Sequence, residues 1–354
     1  MQFELHFAQF PKNYLLFGEN SVWHELCRKV NDKYFFLIKK LREYDMATYL
    51  VTGGCGFIGS HLVKNLLKDG HNVRVLDNLS VGRSENIPDS AELIIGSVTD
   101  KYIVRSCMWG VDACFHLASC KSKMRSHESW LSTHNTNVAG SINVFVTAGV
   151  NRTPVIYASS YEVYGDNADT PLKENSSVSP LSSFGVDKLG VELQARIASL
   201  EHGVPTTGLR FFNVYGNHEA HEGTDCGVIS KFQKNIDDDN SLVIFGDGKQ
   251  VRDFVFINDV IVFLRTALEK VTRAPSVFNV CSGKPISMNS LAKMMMTINS
   301  VNKPVKYEKS ERGDIRMSVG DPRKSISRLG VVAKQPLVRG IRSLMTRGVL
   351  CGDA

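Results

Sequence analysis

The chain has 354 residues, of which 43% are hydrophobic and 22% charged. That is one large domain or two smaller ones, and the composition excludes a disordered chain, a collagen-like repeat and a small disulfide scaffold. Forty-two Lys and Arg against 36 Asp and Glu give a net charge of +6 scattered along the chain. This balance suits a protein that handles a small anion and leaves no basic stripe for nucleic acid. The eight cysteines form no C-x-x-C pair and no Cys/His cluster with zinc-like spacing. Reduced thiols and no metal are expected. No apolar run reaches the roughly 18 residues that span a bilayer. Charges also interrupt every apolar stretch of residues 1–45, so a cytoplasmic protein without membrane insertion is expected.

Residues 1–45 are rich in aromatics and mixed in charge, and Val22 to Arg42 could form an amphipathic helix. They read as an N-terminal extension of unknown role or as an accessory helix, and no chemistry is assigned to them. Order begins after Met46. Thr48–Thr52 is a β-branched apolar run, and Phe57–Lys68 has helical spacing that ends at Asp69-Gly70. His71–Leu76, Leu93–Ile95 and Ala113–Leu117 read as further strands, Ile142–Gly149 closes a helix, and Pro154–Ala158 begins another strand. This alternation predicts an α/β fold with a doubly wound parallel sheet of the Rossmann type over residues 46–210. From residue 211 to 354 the pattern loosens into Gly-, Asn- and Asp-rich turns around short strands such as Leu242–Phe245 and Phe254–Ile257. A smaller, mixed C-terminal substrate lobe is expected there.

The sharpest chemical signal is Thr52-Gly53-Gly54-Cys55-Gly56-Phe57-Ile58-Gly59, placed after a strand and opening a helix. Gly53, Gly56 and Gly59 let the backbone turn, approach a pyrophosphate and pack helix on strand, while the helix N-terminus offers free N–H groups. Asp77 ends the second strand at the spacing where a carboxylate accepts from a ribose 2′-hydroxyl. It would also repel a 2′-phosphate, which favours NAD over NADP, although Arg83 lies close by.

Several later segments carry a resemblance. They are His116-Leu117-Ala118-Ser119, Asn137-Val138-Ala139-Gly140-Ser141-Ile142-Asn143 and Tyr157-Ala158-Ser159-Ser160, followed by Val163-Tyr164-Gly165-Asp166. Arg210-Phe211-Phe212-Asn213-Val214-Tyr215-Gly216, Phe245-Gly246-Asp247-Gly248 and Arg252-Asp253-Phe254 complete the set. Together they resemble the extended short-chain dehydrogenase/reductases that act on nucleotide sugars, most closely UDP-glucose 4-epimerase and related UDP-hexose epimerases. The resemblance runs from Met46 to about residue 345. It implies that Phe57, Ile58, Asp77 and Asn78 hold the adenosine side of NAD and that Val98 flanks the adenine. Leu117, Ala118 and Ser119 would line the cofactor, with Asn137 supporting it. Asn213 and Arg252 would contact the diphosphate of a UDP-sugar, and a homodimer would form through helices around 137–150 and 184–200.

The same resemblance implies a Ser or Thr, a Tyr, and a Lys four residues after the Tyr as the proton-handling groups. Ser160 and Lys188 take the first and last places, and Lys188 would also bond the nicotinamide ribose. The middle place is Phe184, which has a ring but no ionisable oxygen. Loss of a general base costs roughly 10²–10⁴ in rate. Three accounts follow: an impaired epimerase, a non-catalytic relative that holds NAD and sugar nucleotide, or an enzyme in which Glu162 or Tyr161 serves as base. Ser160-Tyr161-Glu162-Val163-Tyr164-Gly165 also resembles a stretch of UDP-glucuronate decarboxylases and nucleotide-sugar 4,6-dehydratases, with Tyr161 at the Asp place of the dehydratases. Two further departures are Ser97, where an Asp reads adenine, and Glu311-Arg312-Gly313-Asp314, where the Arg of an Arg-x-Gly-Asp motif is displaced by one.

Overall fold

The computed structural model describes residues 46–120, 127–217, 227–310 and 313–345. The chain divides after Met46, and the first unit, with the helix expected over Val22–Arg42, lies outside the described residues except for Met46 itself.

The strands of the first half are β1 (Thr48–Thr52), β2 (Asn72–Asp77), β3 (Glu92–Ile95), β4 (Ala113–His116), β5 (Val155–Ser160) and β6 (Thr206–Phe211). Successive residues of one strand feed opposite cores. Leu50, Cys114, Val155 and Tyr157 belong to one buried cluster, whereas their neighbours Val51, Phe115 and Ile156 belong to the other. A sheet buried on both faces needs apolar residues at every position, which is why these strands read as continuous runs rather than as alternation.

Helices α1 (Phe57–Lys68), α2 (Lys101–Met108), α3 (His127–His134), α4 (Gly140–Asn151) and α5 (Ser183–His202) lie between these strands in the chain. Their ends follow local chemistry. Asp100 caps α2 by accepting from the Tyr102 and Ile103 amides. Ser182 caps α5 by accepting from Gly185, and α5 stops at Gly203, where φ is +66°.

The remaining strands are β7 (Asn213–Tyr215), β8 (Leu242–Phe245), β9 (Val251–Phe256), β10 (Ser276–Val280), β11 (Pro285–Ser287), β12 (Val305–Glu308) and β13 (Met317–Ser318). The small lobe is mixed. β9 runs antiparallel to β11 and parallel to β7 and β13, while β8 and β12 form a separate parallel pair. β10 instead returns to the large sheet beside β6, giving seven parallel strands in the order β10-β6-β5-β4-β1-β2-β3. β1 thus has β2 on one side and β4 on the other, the switch in direction that opens a ligand crevice at the strand ends.

β9 starts three residues before the expected Phe254, and Ile257 already opens the next helix. Arg252 and Asp253 hide this strand from a hydrophobicity pattern, because Asp253 is fully buried. Its carboxylate accepts from the Ser282 amide at 2.9 Å, the Ser282 hydroxyl at 2.5 Å and the Gly283 amide at 2.8 Å.

Candidate active site

The glycine turn sits at the carboxyl end of β1. Gly53 has φ of +70°, and a Cβ there would lie 2.7 Å from the Ala118 Cα and N. Gly59 presses on the Gly53–Gly54 backbone, whereas a Cβ on Gly56 would meet only the Gly53 carbonyl at 3.3 Å. Gly56 is the N-cap of α1 and supplies no side-chain cap, so the first-turn amides from Phe57 onward have no capping side chain of their own. The turn therefore fits a dinucleotide: its open side and uncapped helix end suit a pyrophosphate. Asp77 is built into the same turn. Its Oδ2 accepts from the Cys55 amide and its Oδ1 from the Leu79 amide, each at 2.9 Å. Asn78 is exposed beside it, with its Oδ1 bonded to the Ser80 amide and hydroxyl.

Val98 is buried, and Asn143 donates to its carbonyl at 3.0 Å. Ser97 bonds the neighbouring Thr99 hydroxyl at 2.8 Å. Beyond β4, the Leu117 amide donates to the Thr52 carbonyl at 3.1 Å and the Ala118 amide to the Thr52 hydroxyl at 3.2 Å. Thr52 in turn meets His116 Nδ1 at 2.7 Å, and His116 Nε2 meets the Ser141 hydroxyl at 2.8 Å. Ser141 donates to the Asn137 carbonyl, so it accepts from Nε2–H and Thr52 donates to Nδ1. Burial, followed by the Lys188 charge, lowers His116 to about 3, which keeps this bridge neutral.

Asn137 is buried and its amide is fully used within the protein. Oδ1 accepts from the Ser119 hydroxyl at 3.1 Å and the Cys120 amide at 2.8 Å. Nδ2 donates to the Cys120 carbonyl at 2.9 Å and to Asp187 Oδ2 at 3.1 Å. Asn137 thus clamps the segment after β4.

The end of β5 and the start of α5 bring the expected reactive residues together. Ser160 Oγ accepts from the Glu162 amide at 3.1 Å, and Ser182 donates to Glu162 Oε2 at 2.6 Å. Lys188 is buried, donates to the Ala158 carbonyl at 3.0 Å and lies 5.4 Å from the centre of the Phe184 ring. Burial lowers its ammonium to about 8. Tyr161 stacks on Phe212, with centroids 5.5 Å apart and planes 26° apart. Ser182 is a site residue that the family motifs do not mark, although a Ser three residues before Gly185 at a helix start is a capping signal.

On the lobe side, Asn213 donates to the Asp253 carbonyl at 3.2 Å. Arg252 donates to its neighbour's carbonyl at Val251 (3.0 Å) and to Asp314 at 2.6 Å. Both residues lie on the paired strands β7 and β9, with Asn213 opposite Phe254, two residues on from Arg252. Glu311 and Arg312 lie outside the described residues. No group of His, Cys, Asp and Glu among the described residues has an arrangement that could hold a metal ion.

A Rossmann sheet with a glycine turn at the carboxyl end of β1 and a buried carboxylate built into that turn defines a dinucleotide-binding fold. A model of the NAD dependent epimerase/dehydratase family matches residues 49–281, and the chain belongs to that family, whose cofactor is NAD. The chain is 31% identical over 252 residues to UDP-N-acetyl-alpha-D-glucosaminuronate decarboxylase of Bacillus cytotoxicus, covering 69% of this chain and 77% of that protein. It is 28% identical over 298 residues to UDP-glucose 4-epimerase of Lactobacillus helveticus, covering 79% and 90%. The crystal structure of UDP-glucose 4-epimerase with UDP-glucose from Thermotoga maritima superimposes with a TM-score of 0.81 at 31% identity, covering 85% of this chain and 99% of that one.

Proposed function

We propose that this chain carries out 4-epimerisation of a UDP-hexose through a transient 4-keto sugar, with turnover slowed by Phe184 at the place of the catalytic Tyr. The observation that carries this reading is the convergence of Ser160, Glu162, Phe184 and Lys188 at the β5–α5 junction. Bound NAD⁺ supplies the hydride acceptor and, once reduced, the donor. Glu162 takes the hydroxyl proton that a phenol would take, Ser160 orients that hydroxyl, and Lys188 places its charge beside the nicotinamide ribose. Gly53, Gly56, Phe57, Ile58, Gly59, Asp77, Asn78 and Val98 would hold the adenosine and pyrophosphate. Leu117, Ala118, Ser119 and Asn137 would form the wall near the nicotinamide, and Asn213 with Arg252 would receive the sugar diphosphate. On this reading residues 46–210 serve the cofactor and residues from 211 onward mainly serve the sugar nucleotide.

The stacking of Tyr161 on Phe212 argues against 4,6-dehydration, because the place of the dehydratase Asp is a packed ring. UDP-glucuronate decarboxylation is the stronger rival, and the similarity to the B. cytotoxicus UDP-N-acetyl-alpha-D-glucosaminuronate decarboxylase supports it at the level of decarboxylating a UDP-linked uronate. A homodimer belongs to the same proposal. Val146 and Val150 on α4 and Val186, Leu193, Ile197 and Leu200 on α5 are exposed apolar residues, with Val150 at 78% and Leu200 at 63% exposure. A two-helix apolar stripe of this kind pairs well with a second copy. A cytoplasmic setting is supported by free thiols at Cys55, Cys107, Cys114, Cys120 and Cys281. No described helix is long and apolar enough to cross a membrane.

The test is to mix the purified protein with UDP-glucose, UDP-galactose, their N-acetyl forms and UDP-glucuronate. NAD⁺ reduction is followed by absorbance and products by NMR. Epimer formation supports the proposal. A decarboxylated or released 4-keto product as main species replaces it with the rival. Binding without any product, in both the natural chain and Phe184→Tyr, identifies a ligand-holding relative.

A further inference from the structure

Asp187 precedes Lys188 on α5, is 2% exposed, and was marked by no motif. One carboxylate oxygen meets His134 Nδ1 of α3 at 2.7 Å, and the other accepts from Asn137 Nδ2 at 3.1 Å. The side chain of His134 is half exposed, whereas Asp187 and Asn137 are buried. A carboxylate oxygen accepts, so it favours the NH₂ end of the Asn137 amide on its side, the orientation that the Cys120 carbonyl also selects by accepting from Nδ2 at 2.9 Å. With the NH₂ group turned to Asp187, the amide oxygen is left for the Ser119 hydroxyl and the Cys120 amide. A flipped amide would set its NH₂ against the Cys120 N–H and its oxygen against the Cys120 carbonyl and the Asp187 carboxylate, leaving buried groups unmatched.

We propose that Asp187 is a positioning residue for the cofactor: through Asn137 it fixes the Leu117–Cys120 segment in the shape that receives NAD, with His134 holding its second oxygen. The proposal rests on NAD occupying the crevice at the end of β1 and β4, and it does not depend on which sugar is turned over. Consecutive residues of α5 then have three different tasks. Val186 faces outward on the apolar stripe, Asp187 holds the wall of the cleft through Asn137, and Lys188 stands at the reactive centre. The competing explanation is that Asp187 only pins α3 to α5 through its contact with the half-exposed His134. Losing that contact would cost stability without a specific effect on NAD.

The test is a double-mutant cycle on NAD⁺ affinity, measured by calorimetry on the full chain, with thermal unfolding of each variant recorded alongside. Asp187→Ala and Asn137→Ala are each expected to weaken NAD⁺ binding by about ten-fold. The double variant should be no weaker than the worse single one. Asp187→Asn keeps one acceptor for Asn137 and should recover most of the affinity. Should Asp187→Ala not fold, His134→Ala and Asn137→Ala, singly and together, carry the test. His134→Ala should then weaken NAD⁺ by two- to threefold, and less so where Asn137 is already removed. Unchanged NAD⁺ affinity in folded variants, or additive losses in the cycle, overturns the proposal. A natural chain that does not bind NAD⁺ at all overturns the cofactor assignment and this proposal with it.

Discussion

The Lys188 ammonium lies 5.4 Å from the centre of the Phe184 ring and 3.0 Å from the Ala158 carbonyl; on the proposed function, an oxygen on that ring would take part in proton transfer. Adding that oxygen tests how much of the chemistry waits on it. Phe184→Tyr is expected to raise the rate of epimer formation by roughly 10²–10⁴ with NAD⁺ affinity unchanged. Initial rates by NMR check this. A gain under about ten-fold would mean that Glu162 already serves as an effective base.

Lys188 also links pH to stability. Burial lowers its ammonium from 10.5 to about 8 in the folded chain. Between those values the unfolded state binds more protons, so stability rises with pH across the window and is flat from this source below it. Urea unfolding from pH 8 to 10 should show the natural chain gaining on the order of 2–3 kcal/mol relative to Lys188→Met. Parallel curves for the two proteins would contradict it.

Gly53 resists replacement on two counts. Alanine there must adopt φ of +70° and place a methyl 2.7 Å from the Ala118 backbone. Gly53→Ala is expected to cost at least ~2 kcal/mol and to abolish measurable NAD⁺ binding. Unfolding midpoints and calorimetry read the two effects separately.

Arg210 and Glu192 form a buried two-point pair, at 2.8 Å from Nε and 2.7 Å from Nη2, joined by the Ser159 hydroxyl at 2.5 Å. Removing one charge leaves the other uncompensated, so Glu192→Gln should cost about 3 kcal/mol. The joint replacement Glu192→Leu with Arg210→Met should cost less than that single change. Denaturant curves of the three variants decide.

Leu193 and Ile197 lie one helical turn apart on the exposed stripe of α5. Placing a glutamate at both positions should convert a dimer into a folded monomer, read by sedimentation velocity. If the natural chain already sediments as a monomer, the stripe has some other role.

Much of this architecture was legible because parallel strands buried on both faces leave long apolar runs between glycine turns. β1 and α1 have the boundaries expected from Thr48–Thr52 and Phe57–Lys68. β6 was not visible: Thr206, Thr207, Gly208 and Arg210 interrupt its apolar pattern, and only the sheet around it and Glu192 make them tolerable there. The glycine turn and Asp77 stood out by their spacing, and the other residues expected at the site came only from the resemblance to a known family. The interactions that set their positions were not legible, since Asp187 and Asn137 are 50 positions apart and nothing in the local pattern of either announces the other.

β10 pairs with β6 although the whole small lobe begins between them in the chain. During synthesis, therefore, β6 is the edge of the large sheet until residues 276–280 have left the ribosome, when β10 covers it and takes the edge position itself. An unpaired β-edge is a template for misassembly. How long the wholly buried β6 stays open to wrong partners is thus set by the position of a single late strand.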